Sequence, residues 1–247
     1  MSRSRVGGSN ALPDHKSYKS AVVLIPRGWR KLESNLGNDT VNTFQLLDWI
    51  HKVRSVHDRH IHRWPMPHIT ILYPFVHPQE NAQVYGETME KLRNACRSYR
   101  MTGDELTVSL GSGEDALGYF LHSSKSATVY LRPEGSSWLG DLMRHILMSD
   151  PKLRPYDEQI REGVRLPKED SGDGDEALCG AIERHFKPHL SLGQWQGRVA
   201  AVNAIPDLAK SFPGPMEWET KELCILHRNG FKDPFQVVET IPINGPS

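Results

Sequence analysis

The chain is poor in cysteine. Cys96, Cys179 and Cys224 are the only three in 247 residues, none stands in a CxxC pair, and an odd count argues against a disulfide framework. Charge of one sign is lacking too. Lys+Arg and Asp+Glu both number 30, so no global basic field announces a nucleic-acid partner, and an RNA end would have to be held by a local patch. No apolar run is long enough to span a bilayer. Met1 to Lys19 contain no apolar core of the kind that marks a secretory signal. No serine elbow or reactive-cysteine motif is present either, so a protein nucleophile is not expected. These absences lead to the expectation of an intracellular protein, cytoplasmic or nuclear, with no membrane partner and acting as a monomer.

What the chain does contain is one short pattern written twice. Pro67-His68-Ile69-Thr70-Ile71-Leu72 and Pro188-His189-Leu190-Ser191-Leu192-Gly193 each read Pro-His-apolar-hydroxyl-apolar. The alternation is that of a strand with one buried face, where successive side chains point to opposite sides. His68 and Thr70 therefore share one face, and His189 and Ser191 share the corresponding face of the second strand. Two imidazoles and two hydroxyls brought together form a set suited to a phosphate. One neutral imidazole takes a proton from the attacking oxygen, and one protonated imidazole gives a proton to the departing oxygen. The hydroxyls of Thr70 and Ser191 donate to the non-bridging oxygens, where charge builds. No metal and no cofactor is needed for this chemistry.

The pattern around the motifs repeats as well. Ser20 to Pro26 reads as a short apolar strand, Asn38 to Val56 as a helix capped by Asp39 or Thr40, and Gln79 to Tyr99 as a second helix. Glu105–Leu110 and Leu117–His122 read as a hairpin around Gly111-Ser112-Gly113. From Ala127 the order begins again: a strand, a helix over Trp138–Met148, the second motif, a helix over Arg198–Ser211 interrupted at Pro206, and a final pair of strands at Glu222–His227 and Phe235–Ile241. The two motif histidines stand 121 positions apart and the Glu-Leu pairs at 105 and 222 stand 117 apart. The expectation is two copies of a β-α-β-α-β-β unit, with a flexible tail over 1–19, a first lobe over 20–126 and a second over 127–247. The acidic stretch within about 157–178 has the composition of a disordered surface loop.

The two motifs resemble the paired His-x-Thr/Ser signatures of the two-histidine phosphoesterase superfamily, and within it the 2′-5′ RNA ligase and cyclic phosphodiesterase branch. The resemblance covers roughly Ser20 to Ile243. It implies an α+β, bilobal fold with pseudo-two-fold internal duplication, two antiparallel sheets lining a central groove and helices outside. It also implies metal-independent cleavage of a 2′,3′-cyclic or 2′-5′ phosphodiester in RNA or a small nucleotide, with His68, Thr70, His189 and Ser191 as the catalytic set. Ser191 in place of threonine and the acidic insertion depart from the usual pattern. His189 is taken as the base and His68 as the acid, the near-symmetry leaving the reverse open. Ligation in the reverse direction, and a non-catalytic module that binds an RNA end, use the same residues, and RNA-processing partners fit either.

Several residues form a second tier. Phe75 and Trp195 leave the ends of the motif strands and offer rings to a nucleobase, or else pack in the rim or core. Tyr130 and Arg132 share a face of their strand, so Arg132 is a candidate phosphate ligand or a solvated surface residue. Arg54, Arg59, His60, His62 and Arg63 form the most basic stretch and either hold an RNA backbone or cover a turn. Phe44, Leu47, Ile50, Leu142 and Ile146 are expected in the core.

Overall fold

A computed structural model describes residues 16–26, 28–29, 41–100, 106–135, 137–153 and 186–243. The motif strands lie at the centre of a seven-stranded antiparallel sheet. Its strands are β1 (Ser20–Leu24), β2 (Ile69–Leu72), β4 (Leu117–Ser123), β5 (Ser126–Leu131), β7 (Leu190–Trp195), β9 (Glu222–His227) and β10 (Gln236–Pro242), in the spatial order β10-β9-β1-β2-β7-β5-β4. A smaller antiparallel sheet joins β3 (Thr107–Leu110) to β6 (Pro133–Glu134) on one side and β8 (Met216–Glu219) on the other. Four helices accompany the sheets among the described residues: α1 (Val41–His57), α2 (Ala82–Ser98), α3 (Ser137–Ser149) and α4 (Gly197–Ser211). The α+β class with two antiparallel sheets is thus as expected.

Alternation along the strands divides the core between the faces of the large sheet. Val22 and Leu24 of β1, Ile69 and Ile71 of β2, and Val129 and Leu131 of β5 belong to one large apolar cluster, which α2, α3 and α4 complete through Leu92, Leu142 and Ala201. Ala21 and Val23 of β1, Cys224 and Leu226 of β9, and Met66 and Phe235 form a smaller cluster on the opposite face. Leu47 and Ile50 are wholly buried, as are Leu142 and Ile146, and Phe44 is half-buried. The smaller cluster leaves the centre of its face to polar side chains, and there the motifs emerge.

Several boundaries differ from the sequence reading for identifiable reasons. The segments at 105–110 and 117–122 do not form a hairpin. Instead β3 pairs with β8, and β4 pairs with β5, so the hairpin of this region is β4–β5 and it straddles the division expected between 126 and 127. The C-terminal strand β9 pairs with β1. Strands from the beginning, middle and end of the chain therefore share one sheet. Helix α4 runs on through Pro206, because Ala201 and Leu208, buried on either side of it, hold the helix against the sheet. At the start of the described residues the backbones of Ser17 and Phe75 bridge, and Lys16 Nζ donates to the Lys152 carbonyl at 2.7 Å. The helix caps at Asp39 or Thr40 and the acidic stretch at 157–178 lie outside the described residues.

Candidate active site

Strands β2 and β7 are neighbours, with Ile69 paired antiparallel to Leu190. The sequence reading had the motifs meeting across a groove. They meet side by side instead, because β2 and β7 are adjacent strands of one sheet. Antiparallel counting from that pair sets His68 opposite Ser191 and Thr70 opposite His189. Side chains of directly opposed residues share a face with Cβ atoms about 5 Å apart. All four expected catalytic side chains thus occupy a single two-by-two patch, each imidazole beside the other motif's hydroxyl.

The strands share a second feature. In the β1–β2 register Thr70 faces Val23 and Leu72 faces Val22, leaving Ile71 as an extra residue. In the β5–β7 register Ser191 faces Tyr130 and Gly193 faces Val129, leaving Leu192 extra. Each motif strand therefore carries a β-bulge immediately after its hydroxyl, which inverts the alternation beyond it. Gln194, not Trp195, comes into phase with Ser191. Gly193 permits this geometry: its φ is +152°, and a Cβ there would stand 2.6 Å from the backbone carbon of His57.

Both imidazoles are fixed in the same manner. His68 Nδ1 lies 3.0 Å from the Met66 carbonyl, and His189 Nδ1 lies 2.8 Å from the Lys187 carbonyl. A carbonyl only accepts, so Nδ1 carries the proton in each ring and Nε2 is left to exchange one. Trp64 stacks on His68 at 4.6 Å between centroids and 23° between planes. His189 meets the edges of Phe120 (4.8 Å) and Tyr130 (5.3 Å). Burial is the largest influence on both rings and disfavours their charged forms. It pushes His68 down to about 4, helped by the nearby Arg54 guanidinium and by His189 and opposed by the Met66 carbonyl. His189 is lowered as well, by burial first and then by His122. Both are neutral at neutral pH until an anion arrives to favour the imidazolium.

A cavity of about 190 Å³ opens at this patch, lined by His68, Thr70, Ser191, Gln194, Trp64, Arg54, Asp58 and His60. His189 faces Thr70 across the strand pair without lining that cavity. Beneath lies a buried network. Arg54 donates to Asp58 Oδ2 through Nε (3.0 Å) and Nη2 (2.8 Å), and to the carbonyls of Pro65 and Trp64. Asp58 Oδ1 accepts from the His60 backbone at 2.8 Å and from Gln194 Nε2 at 3.4 Å, and Gln194 Oε1 accepts from the Arg59 backbone at 3.1 Å.

The second-tier residues distribute unevenly. Tyr130 is in the site, packed against His189. Phe75 is wholly buried in the large apolar cluster and has no ring face to offer a base, because the chain after β2 folds it under the Ser17 bridge. Trp195, displaced by the bulge, stacks on His57 at 4.4 Å. Arg132 is exposed, with Nη2 3.4 Å from the Leu117 carbonyl, and does not line the cavity. Arg63 engages His60 Nδ1 rather than the cavity. Arg54 supports the site from within as a buried ion pair instead of presenting charge to solvent. The sequence reading did not single out Trp64, Asp58, Gln194 or Phe120. The i,i+4 spacing of Arg54 and Asp58 was a usable signal, whereas the bulge that presents Gln194 leaves no mark in the sequence.

Two His-x-hydroxyl motifs on adjacent strands form one patch here, the paired signature by which the sequence resembles the two-histidine phosphoesterases. The sequence profile described as the 2′-5′ RNA ligase superfamily matches residues 44–231, and the chain belongs to that superfamily. Comparison with curated proteins returns no match. Among solved structures, TT0787 of Thermus thermophilus is 14% identical, with 92% of this chain and 98% of that one covered at a TM-score of 0.45. E. coli LigT complexed with 3′-AMP is 11% identical, with 92% and 98% covered at 0.43. A structure described as a phosphoesterase is 13% identical, with 92% and 98% covered at 0.41.

Proposed function

We propose that this chain cleaves a 2′,3′-cyclic phosphate or a 2′-5′ phosphodiester, at an RNA end or in a small nucleotide, by two-histidine acid–base catalysis. The supporting observation is the matched pinning of His68 and His189 through Nδ1, on one sheet face, with Ser191 and Thr70 as their opposite neighbours. The acid–base pair and the two hydroxyl donors supply the proton transfers and charge stabilisation that the reaction requires.

The environments favour His68 as the base, which reverses the sequence reading. His68 is the more deeply desolvated imidazole next to a guanidinium, so it is the readier of the two to meet the substrate with a free lone pair at Nε2. It takes the proton of an attacking water. The water oxygen bonds to phosphorus, and the bond to one ribose oxygen breaks on the opposite side. His189, protonated once the substrate anion is beside it, delivers its Nε2 proton to that departing oxygen. Thr70 and Ser191 donate to the non-bridging oxygens, and the product is a phosphate monoester.

Incubation with a nucleoside 2′,3′-cyclic phosphate in excess EDTA tests the proposal. Monoester formation is expected. Tight binding with no monoester would identify a non-catalytic RNA-end module instead.

A further inference from the structure

The sheet face that carries the histidines continues beyond them onto β5 and the edge strand β4. In the ladder Gly118 faces Tyr130, Phe120 faces Thr128, and Tyr130 faces Ser191. Phe120, Thr128 and Tyr130 therefore lie on the same face as Ser191. Helix α4 covers the other face, its Ala201 and Leu208 packing in the cluster of Ala127, Val129 and Leu131. Gly118 is what lets the Tyr130 ring lie flat, since a Cβ there would stand 2.6 Å from that ring. Tyr130 is buried and backs Phe120, their rings stacked at 4.3 Å and 23°. Phe120 is only half-buried and touches His189 with its centroid 4.8 Å away. One step further out, His122 Nε2 and Thr128 Oγ1 are joined at 2.8 Å, and His122 is exposed.

The geometry points to Phe120 as the platform for the nucleobase of the substrate, with His122 and Thr128 at the base's edge. This rests on the phosphate lying between His68 and His189. A base linked through one ribose to a phosphate at His189 reaches the adjoining ring. The open side of a ring already stacked on a buried tyrosine is a rigid π surface, and every base offers such a surface a partner. The His122–Thr128 pair supplies one donor and one acceptor beside it, enough to favour some base edges over others.

Equilibrium binding of a nucleoside 3′-monophosphate, compared with the base-free 1-O-methylribose 3-phosphate, tests the platform without relying on turnover. The unaltered protein is expected to bind the nucleotide tighter by about tenfold or more, the size of one base–aromatic stack. Phe120→Ala should bring the ratio of the two affinities close to one, and Phe120→Trp should keep it high. Equal affinities in the unaltered protein, or an advantage that survives Phe120→Ala, would overturn the inference. Base-free ester binding that is lost in His189→Ala reads the phosphate site separately, so failure of the platform and failure of the two-histidine reading give different results.

Discussion

Trp64 lies nearly parallel to the imidazole of His68, 4.6 Å away, while its own carbonyl is held by Arg54. The ring also packs on Phe235 at 4.0 Å, so its position is set by the smaller apolar cluster and not by the site. His68 is thus gripped on two sides, by the Met66 carbonyl in its plane and by the indole on its face. Trp64→Ala is expected to lower kcat for cyclic nucleotide hydrolysis by roughly 10- to 100-fold, since small misplacements of a proton-transfer group are that damaging. Trp64→Phe should restore most of the rate. A Trp64→Ala enzyme that is folded and fully active would show that the stack does not position His68.

The Arg54–Asp58 pair is almost fully enclosed. Removing one partner strands a buried charge, and about 3–5 kcal/mol of stability is the usual loss. Arg54→Met should show that loss in urea unfolding, and Asp58→Asn should be milder because an amide can still meet Gln194 and the His60 backbone. Near-normal stability of Arg54→Met would mean that Asp58 finds solvent on its own.

Gly193 occupies backbone that L residues rarely adopt and abuts the end of α1. Gly193→Ala is expected to destabilise by about 1–3 kcal/mol from backbone strain alone, with the close approach to His57 adding to it. Turnover should fall in parallel, because Ser191 and Gln194 flank the bulge. Urea unfolding and kcat measured on one preparation check both, and an unchanged midpoint would contradict the bulge.

Protonation works against this fold in acid. His68 and His227 are both pushed down to about 4, chiefly by burial, whereas unfolded histidines titrate near 6.5. The unfolded chain therefore binds more protons between those values, and stability falls as the pH drops from about 6.5 towards 4. Replacing His227 with Gln should flatten that decline. Under the proposed mechanism the free enzyme needs His68 neutral and His189 protonated, so kcat/KM should peak on the acid side of 6.5 and decline as the pH rises. A rate that climbs steadily through neutrality would contradict acid–base work by these two imidazoles.

The motif strands and the helices were legible because alternation and helical spacing are local properties of the chain. The grouping of His68, Thr70, His189 and Ser191 was legible for the further reason that each pair recurs at a similar place in the sequence pattern. What was not legible depends on register. The bulges after Thr70 and Ser191 insert residues that look ordinary, yet they exchange Gln194 for Trp195 in the site. The pairing of β3 with β8 rather than β4 is a choice between distant partners that no local signal records. Phe120 went unnoticed because its importance comes from Gly118 and Tyr130, residues that meet only once β4 and β5 are side by side.

The central claim is that two imidazoles share the proton transfers, and the rates of His68→Ala and His189→Ala on a nucleoside 2′,3′-cyclic phosphate test it most directly. Each single variant is expected to retain its circular dichroism spectrum and to lose about 10²–10⁴-fold in kcat, the usual worth of a positioned acid or base. A folded variant at either position that hydrolyses the substrate at the unaltered rate would contradict it.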